Sequence, residues 1–158
     1  MIRLHPGRAA SAVLAIVALL APCSRVAAVE GTLVEKTVVA PKEKREPVNL
    51  TFGKVTLLDV ESRNDPNPAD VKDAEQNDPK DRTFLLIRFR YRNDDWVKQR
   101  VRLRVYLMDG GDGVLAEGGR SGSLDAQTKD DTFSFPVSVR TVDWPQARRL
   151  RILATFLR

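Results

Sequence analysis

The sequence predicts an all-β chain: an antiparallel β-sandwich of about seven strands, preceded by a cleavable signal peptide. Three observations carry that expectation. Apolar and polar residues alternate in short runs, as in Leu85, Ile87, Phe89 and Tyr91 and again in Val101, Leu103, Val105 and Leu107. Turn-forming stretches such as Asp109-Gly110-Gly111-Asp112-Gly113 separate the runs. The first 28 residues differ in composition from everything that follows.

That leading segment begins with Arg3 and Arg8, continues as an apolar run from Ala9 to Ala21 broken only by Ser11, and ends Val26-Ala27-Ala28. This is the order of a secretory signal peptide cleaved after Ala28, and the run is too short to cross a bilayer as a helix. Leu20-Ala21-Pro22-Cys23 offers an alternative, since it resembles a bacterial lipobox in which Cys23 is lipidated, although Pro22 stands where a small residue is usual. The expected location is periplasmic or secreted, with a lipid anchor at Cys23 as the alternative and no transmembrane segment in the mature chain.

Cleavage changes the charge. Arg3, Arg8 and Arg25 leave and no acid does, so 26 basic residues become 23 against 21 acidic ones, and the formal charge falls from +5 to +2. A balance so close to neutral, in an exported domain, argues against a nucleic-acid partner. His5 and Cys23, the only histidine and cysteine, lie in the same segment. The mature domain therefore lacks thiol nucleophiles, Ser-His-Asp triads, disulfides and the usual zinc or copper ligands. Neither an enzyme nor a cofactor is expected.

Along the mature chain, residues 29–47 read as an N-terminal strand (Leu33 to Val39) followed by the charged, proline-bounded linker Pro41 to Pro47. Residues 48–158 read as the sandwich. Val48 to Phe52 alternates, Gly53 interrupts, and Val55 to Leu57 resumes one residue out of phase, which predicts a β-bulge. Residues 62–82 hold three prolines and six acids without periodicity and read as a long acidic loop, with room for a short helix from Pro68 to Gln76. Phe133, Phe135 and Val137 alternate with Thr132, Ser134 and Pro136, as suits an edge strand. Leu150, Ile152, Ala154 and Phe156 form the last alternating run. Asp65, Asn67 and Asp70, like Asp109 and Asp112, offer oxygen ligands but not at calcium-loop spacing, and read as turn formers.

Arg92-Asn93-Asp94-Asp95 closing one strand, Val101 to Asp109 forming the next, and Gly113-Val114-Leu115-Ala116 after the turn together resemble the FxLYD family and related immunoglobulin-like modules of exported bacterial proteins. Gln127 to Phe133 resembles the later turn of those modules, so the likeness spans residues 83–137. Val105-Tyr106-Leu107-Met108-Asp109 departs from the literal F-x-L-Y-D. The resemblance implies an immunoglobulin-like sandwich and an exported location, and brings no catalytic residues with it.

Two arginine triplets flank the NDDWVKQ break: Arg88, Arg90 and Arg92 before it, Arg100, Arg102 and Arg104 after it. In a simple hairpin all six would crowd one face, where like charges oppose one another and an anion is needed to neutralise them. A break of this length suits an arch from one sheet to the other, which would put the triplets on opposite outer faces as solvated stripes. The arch is the expectation. Residues 29–82 carry net charge −3 and residues 83–158 carry +5, so the acidic loop is a candidate to compensate one stripe. Trp96 and Trp144 sit in turns, where tryptophan usually closes the end of a core; if exposed, either becomes the best protein-contact residue.

The functional expectation is a non-catalytic exported domain that binds another envelope protein as an accessory or assembly factor. The alternative is a polyanion-binding protein that takes lipopolysaccharide, anionic lipid head groups or acidic polysaccharide on an arginine-rich sheet face.

Overall fold

A computed structural model describes residues 31–42, 44–64 and 81–157. The leader with Cys23 and Ala28, and positions 65–80 of the acidic loop, lie outside the described residues. Among the described residues eight strands form two antiparallel four-stranded sheets: β1 (Gly31–Val39), β2 (Glu46–Phe52), β3 (Val55–Asn64), β4 (Arg82–Asn93), β5 (Gln99–Met108), β6 (Val114–Leu124), β7 (Thr128–Arg140) and β8 (Arg149–Leu157). Sheet A has the order β1-β8-β5-β6 and sheet B the order β2-β3-β4-β7.

The period-two runs become strands because each can bury one face. Leu85, Ile87 and Phe89 of β4 and Val101, Leu103 and Val105 of β5 are fully buried, in one core with residues of both sheets. Phe52 of sheet B stacks on Phe156 of sheet A with ring centroids 4.7 Å apart, so the two layers interlock. Each such aromatic or aliphatic side chain contributes about 1.5–3 kcal/mol on leaving water. With no cysteine or histidine in the described residues, this core holds the layers together.

The start of the sandwich, the strand count and the reading of Gly53 need adjustment. β1 pairs with β8 along its whole length, from Gly31↔Leu157 to Val39↔Arg149, so the sheet begins well before residue 48 and the strand count rises to eight. Gly53 is not a bulge. With φ +56 it opens the two-residue loop joining paired Phe52 and Val55, where a hairpin turn takes glycine, and the phase shift there is the chain reversing. The bulge of β3 falls between Leu57 and Asp59 instead. The turn-forming stretch from Asp109 to Gly113 is the β5–β6 turn, in which Asp112 takes the positive φ (68°) and Asp109 accepts hydrogen bonds from the backbone N–H groups of Gly111 and Gly113. As expected, β7 with Pro136 is a sheet edge.

Candidate binding surfaces

β4 belongs to sheet B and β5 to sheet A, so the NDDWVKQ segment is an arch and the two arginine triplets stand on different sheets. Their surroundings differ sharply.

On β4 each arginine of the triplet meets an acid. The bulge between Leu57 and Asp59 shifts the alternation of β3: Leu57 and Val60 both point inward, and Asp59 and Glu61 turn outward beside β4. Asp59 pairs with Arg90 and accepts its Nε hydrogen bond at 2.9 Å; Asp130 approaches the same guanidinium at 3.5 Å. Arg92 meets Asp94 at 2.9 Å. Glu61, only 8% exposed, gathers Arg45 at 3.1 Å, Arg63 at 3.2 Å and Arg88 at 3.3 Å. Burial alone would raise the Glu61 carboxyl, but the Arg45 hydrogen bond and the charges of Arg63, Arg45 and Arg88 together hold it below the usual carboxylate range. Asp59 likewise raises Arg90 above the usual guanidinium value, first by its hydrogen bond and then by its charge.

On β5 the cross-strand neighbours carry no acid. Arg100 lies between Leu157 and Ser123, Arg102 between Thr155 and Ser121, and Arg104 between Leu153 and Gly119. All three arginines are exposed, and among the described residues none forms a salt bridge. Arg102 donates from Nε to the Ser121 hydroxyl at 3.2 Å. A Cβ at position 119 would run into the Leu103 carbonyl oxygen, so the floor beside Arg104 has to be glycine. Arg102 and Arg104 form a ridge between two shallow hollows. One, of about 380 Å³, runs over Gly119 and Ser121 to Tyr106 and Glu117; the other, of about 250 Å³, is lined by Leu33, Leu153 and Thr155.

The arch is built around Asn93, which is completely buried at the end of β4. Its amide donates to the carbonyls of Val97 (3.1 Å) and Leu124 (3.4 Å), and its side-chain oxygen accepts from the Asp95 N–H at 3.0 Å. Backbone hydrogen bonds from Asp94 to Lys54 and from Gln127 to Asp95, with the Lys98–Asp125 ion pair at 2.7 Å, tie the arch to its neighbours. Tyr91 donates to Asp131 and accepts from the Asp125 N–H, both at 2.9 Å; burial, ahead of these contacts, pushes its phenol up to about 12. On this anchored loop Trp96 is 80% exposed, with Val97 exposed beside it. Reading Trp96 as a cover for the core is therefore corrected: the core closes without it. Trp144 does pack against the core, with Lys42 Nζ 5.3 Å above its ring.

Sequence reasoning missed Asn93 as the organiser of the arch and the Asp59/Glu61 pair as the neutraliser of β4. Compensation was expected from the loop at 62–82, whose positions 65–80 are outside the described residues; the acids found at work come from β3 and from Asp94 and Asp130. The signal was present as Asp59-Val60-Glu61, spaced like the arginines of the next strand. Among the described residues no three acidic, histidine or cysteine side chains gather as a metal would need, and no helix is long and apolar enough to cross a membrane. No family model matches the chain, and no curated protein matches its sequence.

Proposed function

We propose that this is a non-catalytic domain of the bacterial cell envelope, working as an accessory or assembly factor by gripping another envelope protein through the Trp96 arch. The observation that carries the reading is the exposure of Trp96 (80%) and Val97 (60%) on a loop pinned from below by Asn93. Exposing a large apolar pair costs solvation, while the pinned backbone reduces the ordering entropy a partner would have to overcome, the combination typical of an interface hot spot. The strand order supports an immunoglobulin-like topology, in which β3, β4 and β7 would correspond to strands A, B and E, and β6, β5 and β8 to C′, C and F. On that reading β1, the edge strand beside β8, would stand in for strand G from the N-terminal side. The FxLYD-type resemblance fits the same reading, with Asn93 ending one strand and Asp109 ordering the turn after the next.

Affinity capture from envelope extract tests it. The wild-type protein should retain a discrete partner at moderate salt, and Trp96→Ala should lose it while keeping the wild-type urea midpoint. Equal capture by both proteins would remove the arch from the interface.

A further inference from the structure

The same strand spacing produces a neutral stripe on sheet B and an uncompensated one on sheet A. Along β5 the Cα positions of the three arginines repeat at about 7 Å, two residues of extended chain. A protein that keeps three adjacent arginines without carboxylates across the strand tolerates like-charge repulsion that β4 avoids. An anion arriving from outside relieves it. Hydroxyls of Ser121, Ser123 and Thr155 stand on the flanking strands at the same levels, adding donors suited to phosphate oxygens.

The residues on the β1 side narrow the class of anion. Leu33, 59% exposed, and Leu153 line the second hollow against Arg102 and Arg104, and Leu157 lies beside Arg100. A fully hydrophilic polyanion would use the arginine column and leave this leucine column in water. An amphiphile uses both, with its phosphates on the arginines and its glycerol and upper acyl region against the leucines. Glu117, at the far end of the first hollow, sits opposite Tyr106 rather than an arginine, and so marks the border of the anionic footprint.

We propose that the outer face of sheet A is a docking surface for phosphate head groups of an anionic lipid layer, centred on Arg100, Arg102 and Arg104 with Leu33 and Leu153 as its apolar margin. This goes beyond the protein-binding reading and uses a different surface. Cosedimentation of the full-length chain with phosphatidylglycerol vesicles, compared with phosphatidylcholine vesicles, tests it. Retention should favour the anionic vesicles, collapse with salt, and fall about a hundred-fold in Arg100→Ser/Arg102→Ser/Arg104→Ser, since each basic residue at such a surface is worth roughly five-fold. Arg88→Ser/Arg90→Ser/Arg92→Ser removes the same charge from the other sheet and should cost far less. Leu33→Ser/Leu153→Ser should weaken vesicle binding while leaving retention on a heparin column unchanged. Three results would overturn the proposal: equal retention on both vesicle types, equal losses from the two arginine triples, or binding to heparin without binding to vesicles, which would indicate an acidic polysaccharide. The two readings fail separately, because Trp96→Ala is expected to abolish partner capture with vesicle retention intact, and the β5 triple variant to do the reverse.

Discussion

β4 and β5 carry the same arginine-x-arginine-x-arginine pattern within seventeen residues of chain, and the fold gives the two patterns opposite roles. The β4 arginines are half-buried or paired under Asp59, Glu61, Asp94 and Asp130; those of β5 stand exposed between serine, threonine, leucine and glycine. The arginines are identical, so the difference lies wholly in what each strand has on either side. β4 is flanked by β3, whose bulge turns two carboxylates outward, whereas β5 is flanked by β8 and β6, which put none beside its arginines. On a sheet, the meaning of a charge is set by its cross-strand partner.

The largest effect is expected at the joint that separates the two stripes. Asn93→Ala would strip the Leu124 and Val97 carbonyls and the Asp95 N–H of their buried partner, which should cost about 2–3 kcal/mol in urea unfolding. Amide exchange at Asp95 and Trp96 should quicken in the same variant. Unchanged exchange there would mean that the backbone alone holds the arch.

The next effect separates the stripes directly. Glu61→Gln should destabilise by about 1–2 kcal/mol, because Arg45, Arg63 and Arg88 would then share a neutral amide. Glu117→Gln on sheet A, where no ion pair is lost, should stay within about 0.5 kcal/mol. The pH dependence follows from the same carboxyl. Its folded-state value is depressed, so its contribution is present above the ordinary value of 4.5 and is lost as the pH falls from there through the depressed value. Wild-type protein should therefore lose stability in that acid window more steeply than Glu61→Gln. At the alkaline end, Tyr91 is raised to about 12, so the neutral phenol is favoured by folding; its contribution holds below the ordinary value of 10 and is lost as the pH rises through about 12. Tyr91→Phe should flatten the alkaline limb of the unfolding curve.

The two-layer all-β architecture was legible because period-two runs must bury one face, and the arch was legible because like charges and loop length both opposed a hairpin. The neutralisation of β4 was not. It depends on one extra residue between Leu57 and Asp59, and without that bulge Asp59 and Glu61 would point into the core. Leu57, Leu58 and Val60 are all apolar, so the alternation does not show where its phase changes. Trp96 was equally hidden: a tryptophan between turn residues reads the same whether it covers a core or faces water, and only packing distinguishes it from Trp144. Asn93 was visible as a strand-ending residue, but its three partners come from the arch and from the end of β6, thirty-one residues further on.

The smallest effect on stability should be the sharpest test of the contrast. Ser121 already accepts a hydrogen bond from Arg102, so Ser121→Asp puts a carboxylate where β3 has one against β4. An exposed pair of this kind gains no more than about 0.5 kcal/mol. Vesicle retention, however, should fall about five-fold, because one of three docking charges is taken up internally. The reciprocal change, Asp59→Ser, releases Arg90 on the opposite sheet and should leave retention on sheet A nearly unchanged, at a modest cost in stability. If sheet A bound lipid merely through the protein's overall charge, Glu117→Gln and Asp59→Ser, which remove the same single negative charge, would raise retention equally. If the sheet A face decides, Glu117→Gln, at the border of that face, should gain more than Asp59→Ser, because the arginine uncovered by the second lies on the opposite sheet.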